Sequence, residues 1–253
     1  MGSRMLLVGL VGVLSAGLAA SLPAPPAGKG WKQVWQDEFD GTKLDDTKWE
    51  TPPDGPRHDG WWMAKAVTLD GSGHLVITTT REDDKIIAGC ARTKGKFAHG
   101  LGYFEARVKL PHEQGHWSAF WLFEGVHVTA DGWYNGSEID VFEKFWPNDE
   151  VKHTLYWDPA GDHKLKEWNL IETIPGIREG WHTFAVWRQA DAYVYYVDGK
   201  ESWRINPGGI TQVPMYIKLS DEHAAWCKDI TKANLPDQFI IDYVRVYDLV
   251  DQP

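Results

Sequence analysis

Residues 138–143 read Glu-Ile-Asp-Val-Phe-Glu, a run in which three carboxylates alternate with β-branched and aromatic residues. Such residue types favour a β-strand, and on a regular strand the side chains of Glu138 and Asp140 point to one face. Glu143 would then lie on the opposite face. One additional residue bulged at Val141 or Phe142 would bring Glu143 to the same face as the other two acids, and bulges are frequent beside active sites.

Similar short apolar runs recur along the chain between turn residues, which predicts an all-β protein built as a sandwich of antiparallel sheets. The clearest hairpin signal is Asp198-Gly199, between Tyr193–Val197 and Glu201–Ile205. The other predicted strands are Leu75–Thr80, Ile86–Ala91, Gly102–Leu110, Ser118–Phe123, Glu138–Phe145, His153–Trp157, Trp181–Trp187, Met215–Leu219 and Phe239–Tyr247. Long polar connections at Asp54–Trp62, His127–Asn135 and Ser220–Pro236 are candidates for the rims of a groove.

The chain of 253 residues is predicted to form one domain, residues 31–253, after two N-terminal segments. Residues 1–20 have a basic residue, an apolar run and small residues at the end, which is typical of a secretory signal peptide. Residues 21–30 are a leader rich in proline and glycine. We therefore expect a secreted protein, extracellular or periplasmic, without a membrane segment after cleavage; an uncleaved anchor is the alternative.

The formal net charge of −10 makes nucleic acid a poor partner and weighs against heavily sulfated polymers, unless a local basic patch offsets it. The fifteen tryptophans exceed what the core of one domain needs. Flat aromatic rings can stack on sugar rings, so we expect some of them to line a carbohydrate cleft. Cys90 and Cys227 could form a disulfide or be two buried thiols.

Several ordered motifs resemble glycoside hydrolase family 16, in particular its bulged-strand branch of laminarinases, agarases and carrageenases. Besides residues 138–143, they are Asp37–Gly41, Gly102–Pro111, His116–Phe123 and Phe239–Tyr247, and the resemblance extends from Trp31 to Asp248. The lichenases and xyloglucan transglycosylases of the family have one residue fewer before the second Glu. The resemblance implies a jelly roll of two curved antiparallel sheets with an open cleft on the concave face.

The resemblance also implies roles for the three acids. Glu138 matches the nucleophile, Glu143 the general acid/base, and Asp140 the residue that tunes the nucleophile, which together suit retaining glycoside hydrolysis without a cofactor. The expected function is endo-acting cleavage of a β-linked polysaccharide by a secreted monomer, with β-1,3- or mixed-linkage β-1,3/1,4-glucan as the leading substrate. A marine or other β-galactan is the closest alternative, and a non-catalytic carbohydrate-binding jelly roll is the second.

Further candidate residues would contact the sugar. Trp117 matches a cleft tryptophan of the family, and Trp121, four residues later on the same strand face, is either a second cleft residue or core. His153 resembles a histidine that lies near the acid/base in bulged members. The remaining candidates for sugar contacts are Trp133, Asn135 and Trp226.

Asp242 lies in an otherwise apolar strand row, where a carboxylate needs a partner. The family resemblance implies a structural Ca²⁺ held by this carboxylate together with backbone carbonyls near Glu38 and Gly71, since calcium prefers oxygen ligands. The alternative is that Asp242 pairs with a nearby arginine or a backbone amide.

Overall fold

The computed structural model describes residues 22–128, 134–157 and 166–252. Two β-sheets dominate this part of the chain, and no helix in it is long and apolar enough to span a bilayer. The strands in chain order are β1 (Lys29–Asp37), β2 (Gly55–Arg57), β3 (Gly60–Trp62), β4 (Val67–Leu69), β5 (Leu75–Glu82), β6 (Lys85–Ala88), β7 (Cys90–Arg92), β8 (Gly102–Lys109), β9 (Trp117–Val128), β10 (Tyr134–Lys144), β11 (Glu150–Trp157), β12 (Lys166–Thr173), β13 (His182–Arg188), β14 (Tyr193–Val197), β15 (Lys200–Ile205), β16 (Tyr216–Glu222) and β17 (Asp237–Asp251). Short 3-10 helices span Ala64–Ala66, Ala225–Cys227 and Ile230–Lys232.

The larger sheet has eleven strands in the order β15-β14-β13-β8-β17-β5-β6-β3-β2, with β1 paired to β17 and β4 paired to β5. The smaller sheet has six, in the order β12-β11-β10-β9-β16-β7. Pairing is antiparallel except between the short strands β3 and β6, among the strands described. The predicted all-β jelly-roll sandwich is confirmed, with this parallel pair added.

The core lies between the two sheets because strands of both turn alternate apolar side chains inward. Phe142 of β10 stacks on Phe184 of β13 with ring centroids 4.1 Å apart, which joins the two layers directly. The neighbours Ile139 and Val141 are fully buried in the same core cluster. The apolar half of β10 thus anchors the strand, and its polar half faces outward from the smaller sheet.

The predicted hairpin at Asp198-Gly199 is also confirmed. These two residues connect β14 to β15, and both have positive φ, 49° and 72°, as a type I′ turn requires. The side chain of Asp198 accepts a hydrogen bond from the backbone of Thr183, so the turn is tied to β13. The segment Asp54–Trp62, predicted as a polar loop, instead contains the small strands β2 and β3.

Candidate active site

A β-bulge interrupts β10 at the position that the sequence predicts. Asp140 lies opposite Trp121 of β9, and Phe142 lies opposite the adjacent Phe120. Val141 is therefore the additional residue, and the pairing of β10 with β11 shifts between Asp140 and Glu143 as well. Both Val141 and Phe142 are fully buried in the sandwich. Two consecutive inward side chains restore Glu143 to the outer face.

The bulge brings the three predicted acids together. Glu138, Asp140 and Glu143 line one pocket on the outer face of the smaller sheet. Asp140 and Glu143 are only 4% and 6% exposed, whereas Glu138 is partly exposed. Three carboxylates thus occupy one site of low solvent access.

Glu143 is held by two hydrogen-bond donors on neighbouring strands. Trp117 Nε1 of β9 donates to one carboxylate oxygen at 3.0 Å, and Thr154 Oγ1 of β11 donates to the other at 2.7 Å. Lys152 lies opposite Glu143 in the register. Because both oxygens have a partner, the carboxylate is oriented before any substrate binds.

Burial raises the pKa values of all three acids, and the charges of neighbouring acids of the cluster add to the shift for Glu138 and Asp140. Burial, and then the charge of Glu143, raises the pKa of Glu138 to about 7, although Lys218 and Arg57 oppose this shift. The pKa of Asp140 is raised well above its usual value by burial and by the two glutamates. Burial also raises the pKa of Glu143, against its hydrogen bonds from Thr154 and Trp117. The cluster therefore retains a shared proton near neutral pH, as catalysis by a carboxylic acid beside a carboxylate requires.

An aromatic wall stands beside Glu143. Trp117 contacts Trp226 edge to face, with ring centroids 5.3 Å apart, and the ring of His58 lies 5.1 Å from Trp117. Trp226 is 55% exposed, unusual for so large an apolar side chain. A cavity of about 460 Å³ opens here, lined by Trp117, Glu143, Phe145, Trp146, Lys152, Tyr156, Asn169, Ile171 and Trp226. We call this cavity, together with the pocket of the three acids, the cleft.

Trp121 lies in the floor of the cleft rather than in the sandwich core. It is 6% exposed, lines the pocket of the acids and donates from Nε1 to Ser220 Oγ at 3.0 Å. The ammonium of Lys218 lies 3.3 Å from the centre of its ring. Trp121 is therefore a cleft residue whose ring is buried, although other cleft residues bury it and the sandwich core does not.

His153 is not in the cleft, and its prediction as a sugar contact is wrong. The ring is fully buried, with Nδ1 2.6 Å from the carbonyl oxygen of Val141 and Nε2 2.8 Å from Ser202 Oγ. Burial lowers its pKa to about 4, so it is neutral. Its chain neighbour Thr154 faces the cleft instead, because alternate residues of β11 point to opposite faces.

The other predicted sugar contacts, besides the aromatic wall, lie at or beyond the edge of the described residues. Asn135 occupies a position in β10 opposite His127, and its side chain is not described. Trp133 lies outside the described residues.

Besides Thr154 and His58, three charged residues at the site were missed from the sequence. Arg57 of β2 donates through Nε to Glu222 at 2.8 Å, and both line the pocket of the acids. Lys218 of β16 lies beside them. Arg57 and Glu222 lie 165 positions apart in the chain, so no local sequence pattern could have predicted their contact.

The Asp242 carboxylate proposed for calcium is paired with an arginine, and so is the side chain of Glu38, at which only a backbone carbonyl was proposed as a ligand. Arg107 donates to Asp242 at 2.5 Å, and Arg245 forms two hydrogen bonds of 2.8 Å with Glu38. Gly71 adopts a left-handed turn conformation, with φ 75°. No group of three or more acidic, histidine or cysteine side chains in the described ranges could hold a metal. These side chains, as arranged, fit the arginine alternative rather than a divalent cation, and the calcium site stays a prediction.

The two cysteines do not form a disulfide. Cys90 and Cys227 are both free and buried. Burial raises the pKa of each thiol to about 12, which makes both poor nucleophiles at neutral pH.

Comparisons with known proteins agree with this geometry. The model of "Glycosyl hydrolases family 16" matches residues 55–245. The chain is 27% identical to the keratan-sulfate endo-1,4-beta-galactosidase of Sphingobacterium multivorum, over 87% of the chain but 56% of that protein. It is 28% identical to the beta-glucanase of Rhodothermus marinus, over 98% and 95% of the two chains. The laminarinase structure from Flavobacterium sp. UMI-01 superposes with a TM-score of 0.73 at 26% identity, covering 86% of this chain and all of that one.

Proposed function

Since the chain belongs to glycosyl hydrolase family 16, we propose that it is an endo-acting, retaining hydrolase of a β-linked polysaccharide. The observation that carries this proposal is the bulge that places Glu138, Asp140 and Glu143 on one buried face beside an aromatic wall. The pair of carboxyl groups that retaining hydrolysis needs is thereby available in one pocket.

In this mechanism, Glu138 attacks the anomeric carbon and forms a glycosyl-enzyme, while Glu143 protonates the departing glycosidic oxygen. Glu143 then removes a proton from water, and the water oxygen displaces Glu138. The raised pKa of Glu143 supports its role as the acid, and its bonds from Trp117 and Thr154 support its orientation. Asp140 lies between the two glutamates in the strand and would share a proton with the cluster as charge moves.

The substrate class is the finer part of the proposal. Relatives that act on glucans and on a galactan both match the chain at similar identity. We propose β-1,3- or mixed-linkage β-1,3/1,4-glucan as the leading substrate, from the sequence motifs. A β-galactan is the second candidate, and the positive charge of Lys218 beside the cleft favours it when the polymer carries anionic groups.

The test is to incubate the protein with laminarin, lichenan, agarose and keratan sulfate and to size the products over time. We expect intermediate oligosaccharides to appear early from at least one polymer, and NMR of the fresh products to show the β-anomer first. Early release of single sugars would contradict endo action, and an α-anomer would contradict retention. Tight binding of an oligosaccharide with no cleavage of any polymer would identify a carbohydrate-binding protein instead.

A further inference from the structure

Lys218 occupies the same sheet face as the catalytic acids. It lies directly opposite Trp121 of β9, and Trp121 lies directly opposite Asp140 of β10. Side chains directly opposite each other in neighbouring antiparallel strands share a face. The long side chain of Lys218 is nevertheless only 6% exposed, so its charge is almost withdrawn from water.

Aromatic rings surround the ammonium group of Lys218. Its nitrogen lies 3.3 Å from the ring centre of Trp121, 5.2 Å from that of Phe123 and 5.5 Å from that of Trp62. Ring faces attract a cation, but they do not replace the oxygen acceptors that its three N–H groups need. Within the described part of the chain, this nitrogen contacts the three rings and forms no hydrogen bond or ion pair with an oxygen atom. In the described residues, two side-chain nitrogen atoms are closed off from solvent and lack a hydrogen-bond partner, His116 Nε2 and Arg188 Nε. The nitrogen of Lys218 is not one of them.

The neighbouring cations differ from Lys218 because each has a carboxylate partner. Arg57 is paired with Glu222 at 2.8 Å, and Arg92, directly opposite Lys218 in β7, is paired with Glu50 at 2.8 Å. Burial lowers the pKa of Lys218 to about 8, which still leaves the ammonium form dominant at pH 7. Beside the cleft there is therefore one desolvated positive charge that forms no hydrogen bond with an oxygen atom of the described residues, although the charges of Glu222 and Glu138 act on it from further away.

An oxygen-rich group of the substrate that reaches Lys218 would supply the hydrogen bonds that its ammonium does not receive from the described residues. A desolvated ammonium gains more from an anionic oxygen than from a neutral hydroxyl, since charge-assisted hydrogen bonds are about twice as strong. The three acids repel an anion from the catalytic pocket itself. The half-buried Trp62, which lies beside Lys218, offers a ring on which a sugar could stack while its substituent reaches the ammonium.

We propose that Lys218 is a specificity-determining residue that binds an anionic substituent, a sulfate ester or a carboxylate, on a sugar unit of the polysaccharide. This inference rests on the proposed hydrolase function. A local cation is the exception that the expectation from the net charge of −10 left open, because contact depends on local charge whereas long-range approach depends on the overall charge.

The test compares kcat/KM on two matched pairs of polymers. One pair is keratan sulfate and its chemically desulfated form; the other is mixed-linkage β-glucan and the same glucan oxidised to carboxylates at C6. We expect the wild-type protein to prefer the anionic member of one pair, which also identifies the source of the anion. Lys218→Met should lower kcat/KM on that member about tenfold more than on its neutral counterpart, because the loss of a charge that lowers the pKa of Glu138 affects both polymers alike.

Two further variants make the comparison specific. Lys200→Met removes the same charge from an exposed position on β15 in the other sheet and should leave both polymers unaffected. Lys218→Arg keeps the charge and should keep most of the preference, which protects the test against a folding defect of the Met variant. Equal losses of Lys218→Met on both members of a pair, or a wild-type preference for both neutral polymers, would overturn the proposal.

A binding measurement separates this inference from the proposed function. If the wild-type protein cleaves no polymer, the hydrolase proposal fails, and calorimetry with sulfated and desulfated oligosaccharides of equal length then decides the role of Lys218. Tighter binding of the sulfated member, lost in Lys218→Met, supports the site. Equal affinities reject it.

Discussion

The two glutamates proposed as catalytic residues have different surroundings although they share one strand. Glu143 is 6% exposed and accepts hydrogen bonds from Trp117 and Thr154. Glu138 is partly exposed to the cleft. A fixed carboxyl suits proton transfer along a defined line, and an accessible one suits attack on a sugar carbon.

Replacing each glutamate by alanine should therefore give a different rescue pattern. With Glu138→Ala, turnover should fall by several orders of magnitude, and added azide should restore cleavage with an inverted glycosyl azide product, because the anion occupies the empty nucleophile position. The measurement is the rate and product stereochemistry with and without azide.

With Glu143→Ala, only substrates whose leaving group needs no protonation should still be cleaved. An activated aryl glycoside should keep most of its first-step rate, while the polysaccharide loses turnover by several orders of magnitude. If azide rescues inversion in Glu143→Ala and good leaving groups rescue Glu138→Ala, the two roles are reversed.

At the scale of one element, the bulge in β10 decides which residues face the cleft. Strand alternation places Ile139 inward and Asp140 outward, and the additional Val141 is absorbed without disturbing the pairing with β9 on either side. Deleting Val141 would leave Phe142 opposite Phe120 and Glu143 opposite Ala119 in regular alternation. The structure therefore predicts that this deletion is tolerated.

Deletion of Val141 should give a folded protein with measurable activity. The loss of one fully buried valine should cost about 1.5–3 kcal/mol, and a chain of this size loses about 2–4 °C of melting temperature per kcal/mol. Deletion of Ile139 is the matched control, since it forces Glu138 to the core face and should abolish both folding and activity. Equal damage by the two deletions would mean that the bulge itself is needed.

At the scale of the whole molecule, a buried ionic cluster joins the two sheets behind the cleft. His116 Nδ1 lies 2.7 Å from Asp221 of β16, and its Nε2 lies 3.4 Å from Asp237 of β17. Thr79 of β5 donates to Asp221 at 2.5 Å, so both layers contribute. Asp221 immediately precedes Glu222 of the cleft, which connects this cluster to the site.

The contribution of His116 and its carboxylate partners to the free energy of unfolding should decline in alkaline solution. Although burial opposes it, the charge of Asp221 raises the pKa of His116 to about 10, above the value near 6.5 of an unfolded histidine. Its contribution is complete below pH 6.5 and is lost as pH rises through about 10. The difference in free energy of unfolding between the wild-type protein and His116→Gln, measured by urea unfolding, should therefore shrink between pH 6.5 and 10, whereas the lowered pKa of Lys218 acts equally on both proteins.

His116→Gln is the decisive variant for this prediction. It should lose about 3 kcal/mol or more at pH 6, because one member of a buried ion pair is removed, and its stability should decline less with pH. His112→Gln, at an exposed position, should match the wild-type curve. Parallel pH curves for wild type and His116→Gln would show that another group causes the decline.

The sequence alone determined the features that depend on local backbone geometry. Strand alternation and the count of residues between Glu138 and Glu143 were sufficient to predict the bulge, and two turn residues were sufficient for the hairpin at Asp198-Gly199. Strand β12 (Lys166–Thr173) was not predicted, since its residues alternate between half-buried and exposed positions at a sheet edge and are mostly polar.

Only the tertiary structure decided which residues meet across strands. The face of β11 that reaches the cleft depends on register, and a difference of one position exchanges Thr154 for His153. Arg57 and Glu222, or Lys218 and Trp62, become neighbours because β2, β3 and β16 assemble at one end of the cleft. Such contacts join distant parts of the chain, and no periodicity within a single segment encodes them, whereas the folded sheets bring them to within a few ångströms.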